Sequence, residues 1–82
     1  RLRQVEQGEA FLRSLGVTGD LRVRHLGGEA KLEVQPDQLE RVRVSWPRVQ
    51  EYFDRLGFSS VRLDPEGYRR GRMLSLLSAQ TV

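Results

Sequence analysis

Residues 20–34 contain two runs of alternating polar and apolar side chains joined by a glycine pair, and this feature constrains the fold most. The first run covers residues 20–25 and the second covers residues 29–34. Alternation with period two is typical of β-strands that bury one face. The turn between the runs contains Gly27 and Gly28, which favour a hairpin because glycine accepts positive φ. We therefore expect two antiparallel strands.

Helical spacing of apolar residues marks three further segments. Residues 2–15 have an apolar stripe that ends before Gly16, and residues 36–42 predict a short helix with proline in its first turn. A third helix is predicted to follow Ser45, a favoured N-cap residue. Its apolar stripe has the spacing i, i+3, i+4, i+7 and comprises Val49, Tyr52, Phe53 and Leu56.

Residues 60–64 alternate again and predict a short third strand, which gives the order α-β-β-α-α-β. Each helix has one apolar stripe and each strand one apolar face. We therefore expect an α+β fold, a two-layer sandwich in which helices cover one face of a small, mainly antiparallel three-stranded sheet. The third strand is expected beside the first, after a right-handed crossover. Residues 65–72 have a loop composition, and residues 73–77 predict a final helical turn.

The 82 residues suit one domain, 1–82. The absence of cysteine excludes disulfides, thiolate catalysis and thiolate metal sites within the chain. No apolar run approaches the length of a membrane span, so we expect a cytoplasmic protein without a membrane partner.

The first residue is Arg1 rather than methionine. We expect a domain of a larger protein, and a chain that is not an enzyme by itself.

The charged residues give a net charge of +3, with thirteen arginines and one lysine. Eleven acidic residues are interleaved with them, which argues against a nucleic-acid partner. Strand alternation places five charged side chains on the face opposite the apolar one: Arg22, Arg24, Lys31, Glu33 and Arg62. This face is either a solvated surface with cross-strand ion pairs, such as Glu33 with Arg22 or Arg24, or a site for an anion or a neighbouring domain.

Residues 66–72 are a second candidate region, because two glycines there enclose an aromatic residue and arginines. His25 is the only histidine, and its place at a strand end predicts a half-buried structural residue rather than a base. The chain has no phosphate-binding loop of the Walker type and no HExxH motif.

Two segments together resemble a known family. They are residues 22–33, RVRHLGGEAKLE, and residues 56–73, LGFSSVRLDPEGYRRGRM. At matching spacing they are similar to the C-terminal domain of the ATP-dependent sacrificial sulfur transferases. These are PP-loop ATP pyrophosphatases that act in the biosynthesis of the nickel-pincer cofactor of lactate racemase. The L-D-x-E-G-Y-R-x-G motif is the specific part. Departures from the family pattern occur at Gly28, Lys31, Arg70 and Arg72.

The resemblance implies that the parent enzyme adenylylates the carboxylate of a pyridinium mononucleotide and then transfers sulfur to it. The PP-loop that binds ATP and Mg²⁺ would lie in an N-terminal domain, and this chain itself would hold no cofactor. Partners would be that PP-loop domain, the mononucleotide and further copies of the protein in a homo-oligomer.

The resemblance also implies roles for individual residues. Arg22 and Arg24 would bind the substrate phosphate, and Arg69 would lie near the reaction centre as the catalytic arginine. Glu33, Glu66 and Tyr68 would support the site. Two alternatives remain open, namely a small module that binds anions or nucleic acid, and a structural oligomerisation domain whose arginines form only ion pairs.

Overall fold

Within the part of the chain that the structure describes, three helices and three strands follow one another in the order that the sequence predicts. The computed structural model describes residues 2–68. The elements are α1 (Leu2–Ser14), β1 (Leu21–Leu26), β2 (Glu29–Val34), a 3-10 turn (Pro36–Gln38), α2 (Leu39–Val44), α3 (Trp46–Arg55) and β3 (Ser60–Leu63). This arrangement confirms a small α+β fold. The helical turn predicted for residues 73–77 lies outside the described residues.

The hairpin forms as predicted. β1 pairs with β2 in antiparallel register, with Leu21 opposite Val34 and Val23 opposite Leu32. The turn residues Gly27 and Gly28 have φ values of 54° and 93°. The register places the apolar side chains of both strands on one face and the charged side chains on the other, in agreement with the alternation.

The position of β3 differs from the prediction. The sheet order is β1-β2-β3, so β3 lies beside β2 and not beside β1. The two strands run parallel, with Ala30 opposite Val61 and Leu32 opposite Leu63. The hairpin occupies only one edge of β2, and the helical connection from β2 returns the chain to its free edge. Consecutive strands joined by a crossover are usually neighbours for this reason. The sheet is therefore mixed, with one antiparallel and one parallel pair.

The helices bury the apolar face of the sheet, with α1 packed against β1 and α3 against β3. The fully buried side chains come from both layers and include Leu12, Leu32, Val34, Val42, Val49 and Phe53. Gly8 of α1 lies close to a residue of α3 and, at a longer distance, to a residue of the sheet. A Cβ at Gly8 would lie 2.8 Å from Cε2 of Phe53 and 3.5 Å from Cγ2 of Val23. Residues 2–68 contain no helix that is long and apolar enough to cross a membrane.

Candidate anion-binding face of the sheet

Among residues 2–68, four cations and three carboxylates lie on the face of the sheet turned away from the helices. We call it the charged face. It comprises Arg22 and Arg24 from β1, Glu29, Lys31 and Glu33 from β2, Arg62 from β3, and Asp64, which follows β3. The strand register brings these groups together, because Arg22 is opposite Glu33, Arg24 is opposite Lys31, and Lys31 is opposite Arg62.

Arg62 is neutralised by a carboxylate on the neighbouring strand. Its Nε donates a hydrogen bond to Oε1 of Glu29 at 3.0 Å, and the hydroxyl of Ser60 donates to Oε2 of the same group at 3.0 Å. Both carboxylate oxygens of Glu29 are thus engaged by β3. This end of the charged face is a cross-strand ion pair of the kind that stabilises a sheet.

The centre of the charged face is a partly buried ionic cluster. The side chain of Glu33 is 6% exposed, and its Oε2 lies 3.8 Å from Nη1 of Arg24 and 3.8 Å from Nζ of Lys31. The same ammonium lies 3.3 Å from Oδ2 of Asp64, whose side chain is 7% exposed. Two nearly buried carboxylates therefore share the charge of Lys31, as buried charges require.

Arg22 has a different environment from the other cations. Its guanidinium carbon lies 5.5 Å from the centre of the Tyr68 ring, in the range of a cation–π contact. Within residues 2–68, Arg22 takes part in no ion pair, and its side chain is exposed. The expected pairing of Glu33 with one of the two β1 arginines is therefore found at Arg24.

The loop after β3 places Tyr68 beside Arg22. The backbone N–H of Asp64 donates to the carbonyl of Leu32 at 2.9 Å, and the N–H of Tyr68 donates to the carbonyl of Val34 at 2.6 Å. Between these points the N–H of Glu66 donates to Oδ1 of Asp64 at 2.9 Å, which closes an Asx-turn. The loop thus continues along the edge of β2 to its end.

Gly67 allows this close approach. Its φ is 76°, a conformation that side-chain-bearing residues rarely adopt. A Cβ at this position would lie 2.5 Å from the carbonyl oxygen of Val34. The glycine of the E-G-Y segment is therefore required by both its backbone angle and its contact with β2.

The structure brings some of the predicted site residues together and leaves others apart. Arg22 contacts Tyr68, and Arg24 contacts Glu33. Glu66 contributes its backbone to the loop, while its side chain is exposed. The predicted catalytic Arg69 lies outside the described residues, as do Arg70 and Arg72.

The sequence did not lead us to expect the ion pair between Lys31 on β2 and Asp64, which follows β3. Lys31 was assigned to the charged face by alternation, but its contact with Asp64 depends on β3 lying beside β2. With β3 expected beside β1, the two residues would be separated by a strand. The signal was available in the parity of residues 60–64, because Asp64 shares the parity of Arg62 and follows it by two positions.

His25 is a partly buried packing residue, as predicted. Its ring lies 5.2 Å from the ring of Phe58, at an angle of 51°. Its Nδ1 atom is buried and has no hydrogen-bond partner within residues 2–68. The ring packs toward the apolar layer, away from the charged face.

No protein-family model matches the chain. A curated relative is the uncharacterized protein slr1717 of Synechocystis sp. (strain ATCC 27184 / PCC 6803 / Kazusa), which is 34% identical over 80 residues. The match covers 95% of this chain and 30% of the relative. The chain therefore spans about a third of the length of the curated relative that it matches.

Proposed function

We propose that this chain is the substrate-side domain of an ATP-dependent sulfur transferase, which sulfurates the carboxylate of a pyridinium mononucleotide. The observation that carries the proposal is the contact between Arg22 and Tyr68. Residues 22–33 and 56–73, which resemble the sulfur transferases, are distant in sequence. One residue from each segment meets on the charged face, and one of the two, Arg22, has no ion pair in the described part of the chain.

The chemistry of the charged face suits a phosphate group. Arg22 and Arg24 are two residues apart on β1, so their side chains leave the same face at points about 6.5–7 Å apart. Guanidinium groups bind phosphate through paired N–H donors, and two of them can approach one phosphate from both sides. Glu33 lies 3.8 Å from Nη1 of Arg24, beyond hydrogen-bonding distance, so its contact leaves the donors of Arg24 available.

ATP and Mg²⁺ are assigned to a PP-loop domain and not to this chain. The described residues contain no group of three or more potential ligands arranged for a metal ion. The carboxylates Glu29, Glu33 and Asp64 are each held by a cation of the same face. They do not fit a magnesium site.

In this proposal the domain holds the phosphate end of the mononucleotide while the PP-loop domain activates its carboxylate. Arg69 follows Tyr68 directly and would act near the reacting carboxylate. The remaining surface would contact the PP-loop domain and neighbouring copies in a cytoplasmic homo-oligomer.

A structural domain without a ligand is the second candidate. The ion pairs of Arg62 with Glu29 and of Arg24 with Glu33 favour it, because they neutralise two of the arginines. The role of Arg22 distinguishes the two candidate functions. An anion site needs its guanidinium, whereas a structural domain does not.

Binding measurements on this chain test the proposal. We expect a pyridinium mononucleotide and inorganic phosphate to shift the backbone amide NMR signals of β1, Gly67 and Tyr68. We expect ATP to bind no more tightly than phosphate, with no release of AMP and pyrophosphate. Saturable ATP binding at micromolar concentration would contradict the proposal. Binding of a single-stranded oligonucleotide in preference to the mononucleotide would favour a nucleic-acid module instead.

A further inference from the structure

Lys31 is the counter-ion of two nearly buried carboxylates. Its Nζ lies 3.3 Å from Oδ2 of Asp64 and 3.8 Å from Oε2 of Glu33, and its own side chain is 22% exposed. Without Lys31, the described ion-pair partner of Glu33 is Arg24, and an uncompensated charge is costly in a poorly solvated site. Arg24 must then compensate Glu33.

Arg24 is the nearest alternative counter-ion. Its Nη1 lies 3.8 Å from the same Oε2 atom of Glu33 that faces Lys31. At this distance the guanidinium interacts with the carboxylate by charge but donates no hydrogen bond to it. Without the ammonium of Lys31, Glu33 would attract the guanidinium into direct hydrogen bonds. The N–H donors of Arg24 would then be withdrawn from any external anion.

We propose that Lys31 is a positioning residue of the anion site. By neutralising Glu33 and Asp64, it keeps Arg24 available for a phosphate group that Lys31 itself does not contact. The inference rests on the proposed function, because the anion is the same phosphate. It adds Lys31 as a residue that determines the affinity for phosphate indirectly, through its effect on Glu33.

Arg62 provides a matched control. It is opposite Lys31 in the sheet register and carries the same charge on the same face. Its carboxylate partner is Glu29, and among the described side chains it forms no ion pair with Glu33 or Asp64. A loss of affinity caused only by lower net charge would appear equally in Lys31→Met and Arg62→Gln.

The test is a titration of the chain and its variants with inorganic phosphate, followed by the amide NMR signals. We expect Lys31→Met to weaken phosphate binding roughly five- to tenfold and Arg62→Gln to change it by less than about twofold. Lys31→Arg should stay within about twofold of the wild type, because it keeps the charge. Glu33→Gln should strengthen binding about two- to fivefold, and Lys31→Met combined with Glu33→Gln should restore at least the wild-type affinity.

Several results would overturn the inference. Equal losses of affinity in Lys31→Met and Arg62→Gln would indicate a long-range charge effect. If Glu33→Gln does not restore phosphate binding when combined with Lys31→Met, the loss would indicate general damage to the fold. If Lys31→Met loses the dispersed spectrum of a folded chain, Glu33→Gln alone decides: stronger binding supports the inference, and unchanged or weaker binding refutes it. A wild-type chain that does not bind phosphate would refute the anion site as well, whereas the other results leave that site intact.

Discussion

The guanidinium group of Arg22 lies over the ring of Tyr68, 5.5 Å from its centre. The two residues belong to distant segments, and their contact depends on the loop that carries Tyr68 along the edge of β2. An exposed arginine loses substantial side-chain entropy when it is ordered to bind a ligand. Contact with the aromatic ring restricts Arg22 before an anion arrives, so part of this entropy cost falls on folding rather than on binding.

Replacing the ring of Tyr68 tests whether it restricts the Arg22 side chain before an anion binds. Tyr68→Leu should weaken phosphate binding by about 0.5–1 kcal/mol, the contribution of an exposed cation–π contact. Tyr68→Phe keeps the ring and should retain wild-type affinity within experimental error. Calorimetric or NMR titration with phosphate measures both. Equal losses in the two variants would assign the effect to the hydroxyl group and not to the ring.

The close contact of Gly67 with β2 predicts a local defect when a side chain is added. Gly67→Ala should destabilise the loop by about 1–3 kcal/mol, because the new Cβ meets the carbonyl oxygen of Val34 at a positive φ. Gly27→Ala is the control. Gly27 also has a positive φ, but a Cβ there would have no neighbour within 4 Å.

Amide hydrogen exchange measures this difference. Protection of the Tyr68 N–H, which bonds to Val34, should fall in Gly67→Ala and persist in Gly27→Ala. Unchanged protection in Gly67→Ala would show that the loop accepts a side chain, and our account of its position would then be wrong.

Truncation of a side chain should affect stability strongly on the apolar face of the sheet and weakly on the charged face. Leu32 is fully buried, so Leu32→Ala should lower the free energy of unfolding by about 2–5 kcal/mol. Arg22 is exposed and contacts the Tyr68 ring, so Arg22→Ala should change it by at most about 1 kcal/mol, the upper value for an exposed cation–π contact. Urea denaturation followed by circular dichroism measures both. A larger effect at Arg22 than at Leu32 would contradict the strand register.

The hairpin and its faces were predictable because period two and the glycine pair are local signals. Alternation placed Leu32 on the apolar face and Arg22 on the charged face, and the register agrees with both. The choice of edge for β3 was not predictable in this way. Residues 60–63 fit either edge of the hairpin by their own pattern, and the use of the free edge of β2 depends on how the chain connects the strands and not on a local signal.

The position of β3, which no local signal determines, explains which parts of the site could be predicted from the sequence. Alternation predicts that Arg22 and Arg24 lie on the charged face, while their role as phosphate ligands comes from the family resemblance and stays a proposal. The contact of Lys31 with Asp64 and the position of Tyr68 over β1 both depend on β3 lying beside β2. The low exposure of the Glu33 side chain, 6%, could not be predicted either, since an acid on an open sheet face is expected to be exposed.

The most direct test of the central claim is mononucleotide affinity in the full-length sulfur transferase that we propose. Arg22→Ala and Arg24→Ala should each weaken binding of the pyridinium mononucleotide by about 1.5–3 kcal/mol, the range for hydrogen bonds to charged groups. ATP affinity should stay unchanged, and Arg62→Ala, whose side chain is paired with Glu29, should leave both affinities near wild type. Equal losses of ATP and mononucleotide affinity, or no loss at Arg22, would contradict a phosphate site on this face.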